Sequence, residues 1–186
     1  MRRGFKAEAE RIASRVREEM DLGSADKLDA KALAEHVGAT VRCADELTTA
    51  AKLQALEDLQ PGCFSACTFT IDDRHVIVYS PLASPGRTQS DIAHEVAHLL
   101  LEHEVKTVET IGDLSFFTCD PDEEQEANWL AGCLLLPRPL LLRAVSRGAD
   151  VSQIALDYGV SDQMAAFRLR TTGVARQLAA RRGTPQ

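Results

Sequence analysis

Residues 94 to 98 read His94-Glu95-Val96-Ala97-His98, the stretch of this chain that makes the most specific chemical statement. On a helix, positions i and i+4 share a face, so both imidazoles point at one spot while Glu95 reaches its flank. Two nitrogen donors beside a carboxylate suit a hydrolytic zinc site, which needs a third protein ligand and a fourth position open to water. Zinc lowers the pKa of such a water to about 7, and Glu95 stands where a general base is needed. His103 extends the pattern to HExxHxxxxH. In three-histidine proteases, however, the last histidine lies six residues past the second, behind a glycine, whereas here the offset is five with no glycine. His103 therefore reads as a surface residue at the helix end.

The third ligand has to come from a second helix, and a carboxylate is the usual alternative to histidine. Asp120-Pro121-Asp122-Glu123-Glu124-Gln125-Glu126-Ala127-Asn128-Trp129-Leu130-Ala131 has the Asp-Pro start, first-turn acids and following apolar run of such a helix. First-turn carboxylates favour the helix dipole with or without metal, so composition leaves Glu123, Glu124 and Glu126 as alternatives.

These side chains need elements to hold them. Thr88 to Asp91 gives a T-x-x-D start, and Ile92, Val96, Leu99 and Leu100 recur at helical spacing, so a helix is expected from about Ser90 to Glu104. Residues 80 to 90, rich in Pro, Ser and Gly, read as a loop. Helices are expected over 5 to 20 and 29 to 37, the second closed by Gly38 before a short strand near Thr40 to Arg42. Thr68 to Ile71 and His75 to Tyr79 flank Asp72-Asp73-Arg74 as a hairpin, whose edge is a candidate for pairing with an extended peptide. Residues 104 to 121 read only as a loop bordering the cleft. The fold class is α+β, a mainly helical zincin-like domain over 1–137 with a small antiparallel sheet preceding the HExxH helix. A helical region over 138–186 packs on it.

His94-Glu95-Val96-Ala97-His98-Leu99-Leu100-Leu101 followed by Glu124-Gln125-Glu126-Ala127-Asn128-Trp129-Leu130-Ala131-Gly132-Cys133-Leu134-Leu135-Leu136-Pro137 resembles the ImmA/IrrE family of metallopeptidases, which couples a HExxH helix to an E-x-x-A-N-x-F-A-x-x-L-L-x-P helix. Residues 28 to 41 and 154 to 169 resemble the family's leading and trailing helices, so the likeness covers most of 25 to 175. It implies that His94, His98 and Glu124 hold zinc, that Glu95 is catalytic, and that Asn128 supports the ligands from outside. It also implies a protease that cuts a helix-turn-helix repressor and so derepresses stress or mobile-element genes, with zinc as cofactor and manganese as a substitute in vitro. Leu130 stands in place of the family's usual Phe, Ala97 in place of Gly, and Glu102 where a His commonly follows. The last departure raises a question about contacts at the helix end.

A chain of 186 residues with 45% apolar content can bury one substantial core. Five cysteines, an odd number without a CxxC pair, argue against a secreted disulfide framework, and Cys63 and Cys67 read as idle thiols. The first residues lack an apolar signal core and no run approaches the length of a membrane span, which points to a cytoplasmic protein. Charge is uneven, with eleven acids against Lys106 between Asp91 and Asn128, but eight Arg against three Asp from Arg138 onward. The acidic stretch suits a cation, and the basic tail raises a rival. Gln153 to Arg170 has the helix, Gly-Val-Ser turn and second helix of a helix-turn-helix. One such pair in a chain of net charge -7 is a poor nucleic-acid footprint, so DNA is disfavoured as a partner. A further rival is a module that holds zinc and docks proteins without cutting them. Tyr79, His75 and Tyr158 are conceivable oxyanion donors that the sequence does not place.

Overall fold

The computed structural model describes residues 1–62, 64–72, 74–103, 108–111, 114–117 and 120–182. Their order is α1 (Phe5–Glu19), α2 (Ala30–His36), β1 (Ala39–Cys43), α3 (Ala50–Leu59), β2 (Ala66–Ile71), β3 (Arg74–Tyr79) and α4 (Pro85–Leu100). Then follow β4 (Val108–Ile111), β5 (Leu114–Phe117), α5 (Pro121–Leu135), α6 (Arg138–Ser146), α7 (Val151–Tyr158), α8 (Asp162–Thr172) and α9 (Val174–Arg182). The class is α+β and mainly helical. No single helix among the described residues is long and apolar enough to cross a membrane.

The sheet has the order β1-β3-β2. β2 and β3 form the expected antiparallel hairpin, Thr68 opposite Ile77 and Phe69 opposite Val76, with Asp72 at a left-handed φ of 48° in the turn. β1, however, pairs parallel to β3, so the sheet is mixed rather than wholly antiparallel. The parallel pairing follows from a long crossover through α3, a helix that the sequence reading did not anticipate. Thr49 caps α3 by accepting from the Lys52 amide, yet Leu53 is its one buried residue, which leaves little amphipathic signal to read.

Alternation along β3 sends Ile77, fully buried, toward the helices. Its cross-strand partner Thr68 faces the same way, toward α4. β2 is an edge strand of this sheet, and Phe69 and Ile71 on its outer face stay largely exposed.

At the centre lies α5, whose Ala127, Leu130, Ala131, Cys133 and Leu134 are wholly buried among α1, α4 and α8. One buried cluster runs from Phe5 in α1 to Val174 in α9. Two glycines let the C-terminal pair α7–α8 approach α4 and α5. A Cβ on Gly86 would meet the Val160 carbonyl oxygen at 2.5 Å, and one on Gly132 would meet Cδ of Arg168 at 2.5 Å. The helix-turn-helix-like pair is present, its turn closed by Gly159 at φ 64° and α8 capped by Ser161. Ser90 of α4 accepts from the Ser161 amide at 3.0 Å and fastens that cap to the HExxH helix.

Candidate metal centre

Ser84 caps α4 by accepting from the Arg87 amide, and Pro85 occupies the first helical position, where a proline's missing N–H costs nothing. The helix therefore begins five residues before the expected Ser90, inside the stretch read as a loop. It also ends earlier than expected, at Leu100. Glu102 adopts a left-handed φ of 54°, the Glu102 amide donates to the Leu99 carbonyl, and the His103 amide donates to the His98 carbonyl. Those two bonds form a Schellman turn, here without its usual glycine.

At the middle of α4, His94 Nε2 and His98 Nε2 lie 3.1 Å apart. Glu124, in the first turn of α5, brings Oε2 to 3.2 Å from His94 Nε2 and Oε1 to 3.5 Å from His98 Nε2. Asp120 caps this helix and Pro121 starts it, which fixes where the Glu124 turn falls. The three groups are half-buried and satisfy the spacing of a metal cluster. A tetrahedral zinc ion with ligands at about 2.0–2.2 Å has ligand–ligand edges of about 3.3 Å. The three observed separations bracket that length, and the donor set of two imidazoles and one carboxylate matches hydrolytic zinc sites, so the residues present fit the ion.

Glu95 follows His94 on the same helix. It is 4% exposed, and its Oε2 accepts a hydrogen bond from Thr68 Oγ1 at 2.8 Å. The carboxylate is thereby pinned to the inner face of the edge strand. Asp91, one turn before His94, pairs with Arg87 at 2.9 Å; burial pushes its carboxyl up, and the guanidinium only partly pulls it back. A cavity of about 550 Å³ opens between these helices and α8, lined by Asp91, Asn128, Trp129, Gln163 and Phe167 among others. The three donor residues do not line it.

The structure thus brings together His94, His98 and Glu124, and sets Glu95 beside them on α4. Of the carboxylates left open by composition, Glu126 takes another role, buried and accepting from the Arg2 amide at 2.7 Å and from the Arg2 guanidinium at 3.0 Å. Glu123 is in no such cluster among the described residues. Asn128 is exposed, and its Nδ2 donates to the backbone carbonyl of Glu124 at 2.8 Å. His103 is not a surface residue. Its side chain is 7% exposed, and Nδ1 lies 3.0 Å from Nδ1 of His98. No glycine marked the turn that folds it back, so the sequence carried no signal for this contact. His75 bonds Thr70, and the Tyr79 hydroxyl accepts from Lys31, so neither is brought to the donors. Tyr158 lies in α7 and lines a cavity together with Ala144 and Arg147. Cys67 is half-buried, while Cys63 and, within 104–121, residues 104–107, 112–113 and 118–119 fall outside the described residues. Where that segment is described, β4 and β5 form an antiparallel pair rather than an irregular loop.

The peptidase M78 family, described as the IrrE N-terminal-like domain, matches residues 56–170, a span that carries both donor helices, the edge strand and the C-terminal helical pair. The chain belongs to this family. The matched span runs through α7 and most of α8. Among solved structures, a Mycobacterium tuberculosis transcriptional regulator resembles this IrrE-like chain at 19% identity with a TM-score of 0.54, over 88% of this chain and 46% of that one. At that identity the likeness is one of fold, and the chain spans about half the length of the regulator. Among curated proteins, none matches.

Proposed function

We propose that the protein is a zinc-dependent endopeptidase, with His94, His98 and Glu124 as ligands and Glu95 as catalytic base. The observation that carries this reading is the convergence of the three donors at 3.1 to 3.5 Å from two separate helices, with Glu95 retained beside them. Bound zinc supplies Lewis acidity toward a peptide carbonyl and makes a water more acidic. Glu95 accepts the water's proton and passes it to the departing amine, held for both transfers by Thr68. The edge of β2 offers backbone N–H and C=O groups to an extended peptide, and the Thr68 contact ties that edge to the base. Manganese, a divalent ion that the carboxylate of Glu124 suits, is the substitute to try in vitro.

We assign as substrate a helix-turn-helix repressor, cleaved at one site to derepress stress or mobile-element genes, and place both proteins in the cytoplasm. The support is membership of the family together with the resemblance of its motifs. The deciding experiment incubates purified protein with zinc or manganese and the repressors encoded nearest its gene. One discrete cut that Glu95→Gln abolishes is expected; no cut in any of them counts against the substrate.

Direct DNA binding by α7–α8 is the weaker reading. In a helix-turn-helix the second helix offers its N-terminal residues to base edges. Here Met164, Ala165 and Arg168 of α8 are buried, and its exposed N-terminal positions are Asp162 and Gln163, which offer little to a phosphate backbone. Tight sequence-selective binding by the zinc-free protein in a gel-shift titration would reverse this preference.

A further inference from the structure

The structure assigns a positioning role to His103, which fixes the proton and the orientation of the His98 ring so that Nε2 faces the proposed metal position. The inference rests on the ligand set proposed above and adds a residue behind it.

The Schellman turn at Leu101–Glu102 reverses the chain, so the His103 amide bonds the His98 carbonyl and the two rings meet edge to face with centroids 5.0 Å apart. Their Nδ1 atoms are 3.0 Å apart, a distance that requires one donor and one acceptor. A neutral histidine carries one ring proton. If His98 Nε2 offers its lone pair to the site shared with His94 and Glu124, then its proton sits on Nδ1 and His103 Nδ1 must accept it. His103 in turn carries its proton on Nε2, which lies 3.9 Å from Oε2 of Glu126. Glu126, almost fully buried, is held by the Arg2 amide and guanidinium. The His98–His103 bond then has one direction, His98 donating and His103 accepting, while the buried Glu126 carboxylate at 3.9 Å acts on the far side of the His103 ring only through its charge. Reversing the bond would place a proton on His98 Nε2 and close the metal position. Metal-ligating histidines characteristically donate their second ring nitrogen to a fixed acceptor, and removing that acceptor weakens metal binding about 10–100-fold. Here the acceptor is an imidazole.

The test measures metal binding by the full chain, with zinc in competition with a chromophoric chelator and with cobalt(II) read from its visible ligand-field bands. His103→Phe keeps a ring but removes the acceptor; zinc affinity is expected to fall about 10–100-fold and the cobalt bands to shift or weaken. His103→Asn places its amide oxygen near the position of Nδ1, and is expected to recover affinity to within about 5-fold of the wild type. Thermal melts of the metal-free proteins check folding. If His103→Phe does not fold, the comparison of His103→Leu with His103→Asn is read in the same way. Wild-type affinity and an unchanged cobalt spectrum in the folded Phe or Leu variant would overturn the role of His103. Failure of the wild type to bind zinc or cobalt would instead overturn the ligand set, so the two failures are told apart.

Discussion

Thr68 donates its hydroxyl to Glu95 at 2.8 Å, so a residue of the edge strand holds the carboxylate of the residue that follows His94 on α4. A hydrogen bond to a charged group is worth about 1.5–3 kcal/mol when its partner stays buried. Thr68→Val keeps the shape and removes the donor. Cleavage is expected to slow about 10-fold or more, while zinc content stays at the wild-type level. Unchanged cleavage by this variant would separate the strand from the chemistry.

The roles of Glu95 and His98 separate in the same measurements. Glu95→Gln preserves size and all three donors, so zinc is retained while cleavage falls by about 10²-fold or more. His98→Ala removes a donor that lies 3.1 Å from His94 Nε2 and 3.5 Å from Glu124 Oε1, so both zinc and cleavage are lost. Metal analysis after dialysis decides between these outcomes, and full zinc occupancy in His98→Ala would remove the ligand assignment.

The centre was more legible in the sequence than the elements that hold it. An i, i+4 histidine pair is a local pattern, and helical geometry alone places both rings on one face. Glu124 was different, because any helix favours first-turn acids; it took the resemblance of the whole Glu124–Pro137 stretch to separate it from Glu123 and Glu126. The start of α4 was hidden because Ser84-Pro85-Gly86 has loop composition while acting as cap, first turn and contact with Val160. The parallel partner of β3 is a non-local choice that no short window encodes.

The turn that returns His103 was illegible for a related reason, since Glu102 occupies a left-handed position that glycine usually fills. Holding a non-glycine residue there costs about 1–2 kcal/mol. Glu102→Gly is expected to leave stability unchanged or to raise it by up to about 1 kcal/mol, the unfolded chain's added freedom offsetting part of the relief. Glu102→Val is expected to destabilise by more than about 1 kcal/mol and to weaken zinc binding along with it. Urea unfolding of the metal-free proteins measures the first effect and chelator competition the second. Equal stability of the Val and Gly variants would mean that the turn is not formed in solution.

Gly132 tests how tightly α8 is seated. Alanine in a helix interior normally gains about 1 kcal/mol over glycine. Here the new Cβ would lie 2.5 Å from Cδ of Arg168, in the middle of a side chain pinned at both ends, where Nε donates to the Leu136 carbonyl and the guanidinium to Glu10. Arg168 has no room to swing aside, being wholly buried. Overpacking should therefore win, and Gly132→Ala is expected to lose about 1–3 kcal/mol by urea unfolding. A gain in stability would show that α8 docks more loosely than its contacts with α5 indicate.

Cys133 lies on α5 beside Glu10 and Arg168, fully buried, and burial pushes its thiol from 9.0 up to about 12. In the folded protein it stays protonated at pH values where the unfolded chain releases the proton. The folded state thus binds the extra proton between about pH 9 and pH 12; its contribution is fully present below that window and is lost as pH rises through it. The limiting slope is about 1.4 kcal/mol per pH unit. Cys133→Ala should show a shallower loss of stability than the wild type over that range, a difference of slopes that cancels the other groups titrating there. Alkylation at pH 8 should mark the half-buried Cys43 and Cys67 before Cys133. Rapid labelling of Cys133 in the native protein would mean that the seam between α5 and α8 opens readily, and the packing argued from Gly132 would fail with it.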